Sequence, residues 1–175
     1  MNGAVFLEGE NITLRTIEED DLEFITRNFN DPNVREGLSY YYPQNLEQEK
    51  KFFEDVICAD ENKNMAIYND DGQIMGVGGL ESTENGETAS LGIWIAAKFH
   101  GNGYGTEASK LMTDYAFDEL RFHKVYARAF EFNEGSQRIW EKLDFEKEGT
   151  LREHVYKNGD YQDVYMYGIT EEAWT

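Results

Sequence analysis

One stretch constrains this chain more than any other: Leu91-Gly92-Ile93-Trp94-Ile95-Ala96-Ala97-Lys98-Phe99-His100-Gly101-Asn102-Gly103-Tyr104-Gly105-Thr106-Glu107-Ala108. The apolar run from Leu91 to Ala97 reads as a buried strand. Ala108, Leu111, Met112, Tyr115, Ala116 and Leu120 recur at helical spacing, so an amphipathic helix follows. Between the two, Gly101, Gly103 and Gly105 stand at alternate positions and leave backbone N–H groups uncovered by side chains. The helix N-terminus adds the positive end of its dipole, and together they make a cradle for phosphate oxygens. A glycine turn that only lets a strand meet a helix would use the same residues. The succession of strand, spaced glycines, Thr106 and long helix favours anion binding.

The loop is not of the Walker type, because no Gly-Lys-Ser/Thr follows. Gly103 to Ala108 does fit the dinucleotide pattern G-x-G-x-x-G/A, and Glu131 lies near the end of the next strand, where a ribose-binding acid would sit. Two features weigh against that ligand. Ala96 to Gly101 separate the strand from the glycines, and beyond Glu131 the chain continues with one short helix and a hairpin instead of a βαβ series.

The rest of the chain supplies the frame. Asn11 to Ile17 alternates, with Ile12 and Leu14 on one face of a first strand. Thr16 to Glu19 can form a capping box for a helix carrying Leu22, Ile25 and Phe29, and Asn30-Asp31-Pro32 stops it. A loop from Val34 to Pro43 carries Tyr40, Tyr41 and Tyr42, which either pack as a lid or line an acceptor pocket. Asn45, with Gln48, caps a second helix that turns Phe52, Phe53, Val56 and Ile57 inward and packs Cys58. Met65–Tyr68 and Gln73–Glu81 flank a hairpin turn, and Glu87–Ile95 completes an antiparallel run of three strands. After the long helix come a strand, His123–Phe132, a short helix, Asn133–Leu143, and a last hairpin, Glu146–Tyr156 with Tyr161–Ile169. This order gives one mixed α+β domain over residues 1–175, with no linker or internal repeat.

Composition narrows the partners. With 35 acidic against 16 basic residues the chain carries a net charge of −19, which repels nucleic acid as a direct ligand and suits a cationic acceptor. A solvated acidic surface, or adaptation to a high-salt habitat, accounts for the same charge. Cys58 is the only cysteine, so no intrachain disulfide forms and a reducing, cytoplasmic setting is expected. His100, His123 and His154 have no ligand spacing with Cys58, so no structural metal is expected. Met1 to Leu7 lacks the basic and apolar parts of a leader, and no window is apolar enough to span a membrane.

The glycine stretch resembles the pyrophosphate loop of the GNAT superfamily of N-acetyltransferases, Arg/Gln-x-x-Gly-x-Gly/Ala, with His100 in place of Arg or Gln. Gly101 and the Gly-Thr-Glu-Ala tail are similar to the branch holding ribosomal-protein N-terminal (Rim-type) and spermidine acetyltransferases. So are Asn133-Glu134-Gly135-Ser136, Trp140 to Phe145, Glu148 to Arg152 and Asn158 to Asp163. The resemblance runs from Asn11 to Tyr167. It implies the GNAT fold, a central mixed, mostly antiparallel sheet with flanking helices. It also implies acetyl-CoA as cosubstrate and a primary amine as acceptor, either a protein N-terminus or a small cationic amine, and it is compatible with a homodimer.

The same resemblance assigns roles. The backbone of Ile93, Trp94 and Ile95 pairs with the pantetheine arm and polarises the thioester carbonyl. His100, Gly101, Asn102, Gly103, Tyr104, Gly105 and Thr106 hold the pyrophosphate. Asn133 contacts the pantetheine amides, although its position suits a helix N-cap equally. Ser136 aligns with the serine that protonates the leaving thiolate, and Trp140 stands where spermidine-type enzymes use tyrosine. Ser90 stands where many relatives carry a basic glutamate, which leaves Glu87 and Glu131 to take the amine proton through water. An amine delivered neutral would need no base. His100, Trp140 and Ser90 keep a second reading open, a non-catalytic acyl-CoA-binding sensor of the same fold; Ser136 favours the enzyme.

Overall fold

The structure, a computed structural model, describes residues 3–175. Its contacts group the chain into two compact units that interleave in sequence: residues up to 79 with 93–111, and residues 80–92 with 112–175. The first unit holds strands β1 (Val5–Glu8), β2 (Ile12–Arg15), β3 (Asn64–Asn69) and the start of β4 (Ile74–Ser82), paired antiparallel in that order. Helices α1 (Leu22–Phe29), α2 (Pro32–Arg35) and α3 (Leu46–Phe52) lie between β2 and β3 in the chain, and α3 runs on into a π turn, Phe53–Ile57. Ile17, Leu22, Ile25, Ala66 and Tyr68 form the core of this unit, with Phe24, Phe53, Ile57, Ile74, Val77 and Trp94 packed on it.

A carboxylate is buried beside that core. Asp21 is 4 % exposed, accepts the Tyr68 hydroxyl hydrogen and accepts the Glu18 N–H at 2.9 Å. Burial, and then the Asp21 carboxylate, push the Tyr68 phenol well above the usual tyrosine range. The Arg15 guanidinium, 4.8 Å from the ring centroid, covers its face.

Several local expectations shift for identifiable reasons. β1 lies where no strand pattern was readable, because Val5 and Phe6 stay about half exposed and do not alternate in burial. Thr16 does not cap the helix: its hydroxyl accepts from Ala4 N (2.9 Å) and donates to Glu18 (2.6 Å), so β1 has recruited it. The capping box forms two residues on, between Glu18 and Asp21. The loop after α1 begins with a helical turn, α2, because Asp31 caps it and Pro32 occupies its first position. The Asn45–Gln48 box forms as read, with both bonds at 2.9 Å. Beyond it Phe53 and Ile57 face the core, whereas Phe52 and Val56 are exposed, as is Cys58. The inward stripe is therefore Glu49, Phe53 and Ile57, at steps of four.

The second unit holds the rest of β4, β5 (Thr88–Ile95) as far as Gly92, β6 (Lys124–Phe130), β7 (Glu146–Lys157) and β8 (Asp160–Thr170). Here the order is β5-β6-β8-β7, with β5 and β6 parallel and the other pairs antiparallel. Val125, Ala127 and Ala129 are buried along β6, as their alternation demands. Helix α4 (Tyr104–Asp118) enters this unit at Met112, and α5 (Glu134–Lys142) carries buried Trp140. Trp140 packs on Phe145, which meets Trp174 edge-on; the Trp174 indole donates to Asp114 at 2.8 Å. Asn158 and Gly159, at φ 56° and 82°, make the tight turn between β7 and β8. Each passage between the units falls inside a regular element, β4, β5 or α4.

Gly76 in β4 permits a close backbone approach. A Cβ there would collide with the Trp94 carbonyl oxygen and stand 3.0 Å from the Ile95 Cα, and neither atom belongs to a movable side chain. Beside it, Ala96 N donates to Met75 O at 2.8 Å. Gly76→Ala should therefore destabilise the fold by about 1–3 kcal/mol, the usual cost of overpacking. The drop should appear as a lower denaturant midpoint at constant m-value; an unchanged midpoint would show that the strands separate here without cost.

Candidate active site

In the first unit the end of β5 and the glycine loop form one continuous piece. Ile93, Trp94 and Ile95 are half-buried, and a 3-10 turn, Ala97–Phe99, leads to His100. His100 is exposed, and its Nε2 lies 2.7 Å from the Ile95 carbonyl oxygen, so the ring donates there and ties the loop to the strand end. The Asn102 side-chain amide donates to Phe99 O (3.1 Å) and His100 O (3.2 Å). Gly101 and Gly103 have φ of 79° and 82°, the left-handed region that favours glycine. A Cβ at either would project into open space. Glu107 N donates to Gly103 O at 3.0 Å, which makes Gly103 the N-cap of α4. The N–H groups of Tyr104, Gly105 and Thr106 therefore open the helix without intrahelical acceptors. Such an end, with two left-handed glycines before it, offers convergent donors to an anion.

Around Trp94 the unit is aromatic. Phe24 stacks on the indole with centroids 6.3 Å apart, Phe29 meets it edge-on at 6.4 Å, and Tyr40 meets Phe29 at 5.0 Å. The three tyrosines part company: Tyr40 is half-buried and donates to Gln44 Oε1, while Tyr41 and Tyr42 are exposed. Asn30 clasps Gln44 through both backbone groups, at 2.9 and 2.7 Å. The Gln44 side chain donates to Glu49 Oε2 at 3.4 Å. Glu49 is 6 % exposed, and burial raises its carboxyl above 4.5, partly offset by the Gln44 bond. The sequence reading missed this acid, although its place four and eight residues before Phe53 and Ile57 marks it as inward-facing.

In the second unit Asn133 caps α5. Its side-chain oxygen accepts from Ser136 N at 3.1 Å, and its carbonyl accepts from Gln137 N at 3.1 Å. The Ser136 hydroxyl oxygen accepts from the Trp140 indole at 3.3 Å. An oxygen that accepts in this way keeps its own hydrogen to donate elsewhere. The structure thus brings Asn133, Ser136 and Trp140 together along the first two turns of α5.

The two base candidates fare differently. Glu87 is exposed at the start of β5, beside His123, whose N–H donates to its carbonyl at 2.8 Å. Asn133 lies past the far end of β6, a strand rising roughly 23 Å over its length. Glu87 thus stands at the start of its strand, as its place in the sequence implies, and Asn133 follows the opposite end of the β6 strand beside it. Glu131 is half-buried, and its Oε1 accepts from Asp163 N at 3.0 Å, while Asp163 O accepts from Glu131 N at 3.1 Å. Asp163 in turn accepts from Glu153 N at 2.8 Å and holds that residue at φ 48° in a bulge of β7. The bulge opens a cleft of about 690 Å³ lined by Thr150 to His154 and Asp163, for which the sequence offered no pattern.

A parallel β5–β6 pair, a left-handed double-glycine entry to α4 and a capped Asn-x-x-Ser turn define a GNAT-type acyltransferase. The chain belongs to that family: residues 11–146 match the GNAT acetyltransferase domain. It is accordingly an enzyme, an N-acetyltransferase. YdaF of Bacillus subtilis (strain 168), provisionally named a ribosomal N-acetyltransferase, is 30% identical, with 94% of each chain covered. Spermidine N(1)-acetyltransferase of Escherichia coli (strain K12) is 28% identical over 94% of this chain and 88% of its own. Spermidine N-acetyltransferase of Vibrio cholerae, solved in complex with CoA and spermine, superposes with a TM-score of 0.86 at 25% identity, covering 93% of this chain and 97% of its own. Among the described residues no helix is long and apolar enough to cross a membrane.

Glu49 gives this region a pH signature. Its folded-state pKa lies above 4.5, so its contribution to stability is full below that value and is lost as pH rises through the raised one. Glu49→Gln, which keeps an acceptor for Gln44 without the charge, should melt higher than the parent at neutral pH. The two melting curves should converge in acid. Equal melting temperatures at neutral pH would show that the buried carboxylate is fully compensated.

Proposed function

We propose that the chain transfers the acetyl group of acetyl-CoA to a primary amine, either a protein N-terminus or a small cationic amine. The observation that carries the reading is the loop: Gly101 and Gly103 both left-handed, directly before the uncovered N–H groups of α4. Their Cβ positions are open, so the residues fit a pyrophosphate. Acetyl-CoA supplies an activated thioester, and four tasks remain for the chain: to hold it, polarise its carbonyl, accept a neutral amine and return a proton to the thiolate.

His100 takes a different part from the one its alignment implies. In this reading its ring fixes the cradle against Ile95, and the phosphates are met by backbone N–H groups. Thr88, Ala89 and Ser90 of β5 pair with Lys124, Val125 and Tyr126 of β6, and further on Gly92 is exposed with open space beside it. That supports the assignment of the Ile93–Ile95 backbone to the pantetheine arm and the thioester carbonyl. Asn133 spends its side-chain oxygen on the cap, which leaves its amide hydrogens as the groups to offer a pantetheine carbonyl. Ser136 acts as the general acid by relay, passing its hydrogen to the thiolate and regaining one from water, and the indole bond, which the hydroxyl oxygen accepts, leaves that hydrogen to be passed. With Glu87 remote and Glu131 bound to the β8 backbone, the amine arrives neutral and yields its proton to water.

The acceptor classes follow from charge and from the relatives. A net charge of −19 steers cations, and Tyr41 and Tyr42 stand exposed beside half-buried Tyr40, where aromatic rings can cover an alkyl amine or a peptide end.

Two comparisons test this reading. Gly103→Ala and Gly159→Ala impose a similar left-handed strain, φ being 82° at both, of about 1–2 kcal/mol each. Only Gly103→Ala should lower acetyl-CoA affinity, by about tenfold or more; equal affinities in the two variants would remove the cradle. Ser136→Ala should reduce kcat about ten- to a thousandfold while the Kd for acetyl-CoA stays within about twofold. A parental kcat with lowered stability would make Ser136 only part of the α5 cap.

A further inference from the structure

An anion held at the start of α4 has a competitor in the same helix. Glu107 is its fourth residue after the cap, about 6 Å along the axis from it. A carboxylate in a first turn is attracted to the same dipole and the same uncovered N–H groups as a phosphate would be. Left mobile, Glu107 would repel the incoming phosphates and act as the loop's own anion.

The carboxylate is not left mobile. Both of its oxygens are engaged by one residue, 96 positions away: Asn11 N donates to Oε1 at 2.8 Å and Asn11 Nδ2 donates to Oε2 at 3.1 Å. The turn between β1 and β2 is shaped for this contact. Gly9 N donates to Ile12 O at 2.8 Å and closes the turn. A Cβ at Gly9 would collide with Glu107 Oε1 and stand 3.0 Å from Leu111 Cδ1, so a side chain there would push the carboxylate out of its present place. These are charge-assisted bonds, which spread and partly neutralise the negative charge.

We infer that Asn11 and Gly9 are positioning residues for the phosphate cradle: the β1–β2 turn holds Glu107 aside and keeps the N-terminus of α4 open to an anionic cosubstrate. The inference rests on the loop being the pyrophosphate site. It assigns a cosubstrate-binding role to a surface turn with no glycine-loop residue in it. It also gives Glu107 a purpose: it ties α4 to the turn, at the expense of a charge the turn must then control.

The experiment is a set of binding isotherms for CoA, with steady-state kinetics for two donors, acetyl-CoA and S-acetylpantetheine, which lacks the phosphates. Asn11→Ala should weaken CoA binding about fivefold or more and raise KM for acetyl-CoA in proportion. It should leave KM for S-acetylpantetheine unchanged, which a merely structural defect would not. Glu107→Gln should bind CoA at least as well as the parent, and adding Asn11→Ala to Glu107→Gln should cost no further affinity. Gly9→Ala, which crowds the carboxylate out, should reproduce Asn11→Ala if that variant fails to fold. Unchanged CoA affinity in both turn variants would overturn the inference, as would an equal rise in KM for both donors or a loss that persists in the Glu107→Gln background. Gly103→Ala separates the two levels. If it too leaves CoA binding intact, the cradle is wrong; if it weakens binding while the turn variants are silent, only the clamp is wrong.

Discussion

The first unit depends on the backbone contact between Gly76 and Trp94. Under the proposed function this strand end offers its own polar groups to the cosubstrate, so it has to be held from one side only. Gly76, by having no side chain, lets the β4 backbone approach the Trp94 carbonyl, and Met75 O takes the Ala96 N–H. From that fixed end hang the 3-10 turn, the His100 ring bonded to Ile95 O, the two left-handed glycines and the first turn of α4. The Trp94 side chain meanwhile packs on the α1 aromatics. Its backbone meets β4 while its indole meets α1, so one residue joins the strand end to the aromatic cluster.

Charge sets the second constraint. A chain with net charge −19 is a poor long-range attractor of a polyanionic cosubstrate. At physiological ionic strength fields are screened over about 8 Å, so the balance is decided within the loop and the first turn. There the local donors are backbone N–H groups, insensitive to pH, and the one carboxylate of the first turn is bound to Asn11. The same negative charge favours a cation, so under the proposed function the two substrates make opposite electrostatic demands that local geometry has to reconcile.

Periodicity and spacing carried much of this into the sequence. The alternation of Val125, Ala127 and Ala129 and the Asn45–Gln48 box each encode a local rule, and each element formed where that rule put it. Of the three spaced glycines, Gly101 and Gly103 are left-handed, whereas Gly105 and Thr106 lie inside α4, which starts at Tyr104. What was hidden depends on contacts far apart in the chain. Thr16 left its cap because β1 offered it a partner, and β1 itself has no burial alternation to read. Glu107 looks like an ordinary first-turn acid until Asn11 is seen against it. Residues 152–154 bulge out because Asp163 captures Glu153 N, a bond no local pattern announces.

The chemistry proposed for Ser136 is a proton relay: a hydroxyl is a weaker acid than a thiol, so it passes its hydrogen to the thiolate as water replaces it. Asn133 fixes the helical turn, Trp140 occupies one lone pair of the hydroxyl, and the hydrogen is left to serve a thiolate, a far stronger base than water. The most direct measurement is of CoA thiol release from acetyl-CoA by the purified full chain, offered a panel of polyamines and of peptides with free N-termini, with the products weighed by mass spectrometry. The account predicts release matched one for one by an acetylated amine in at least one class. Tight acetyl-CoA binding with thiol release at background across the whole panel would contradict it and leave a protein that senses acyl-CoA without turning it over.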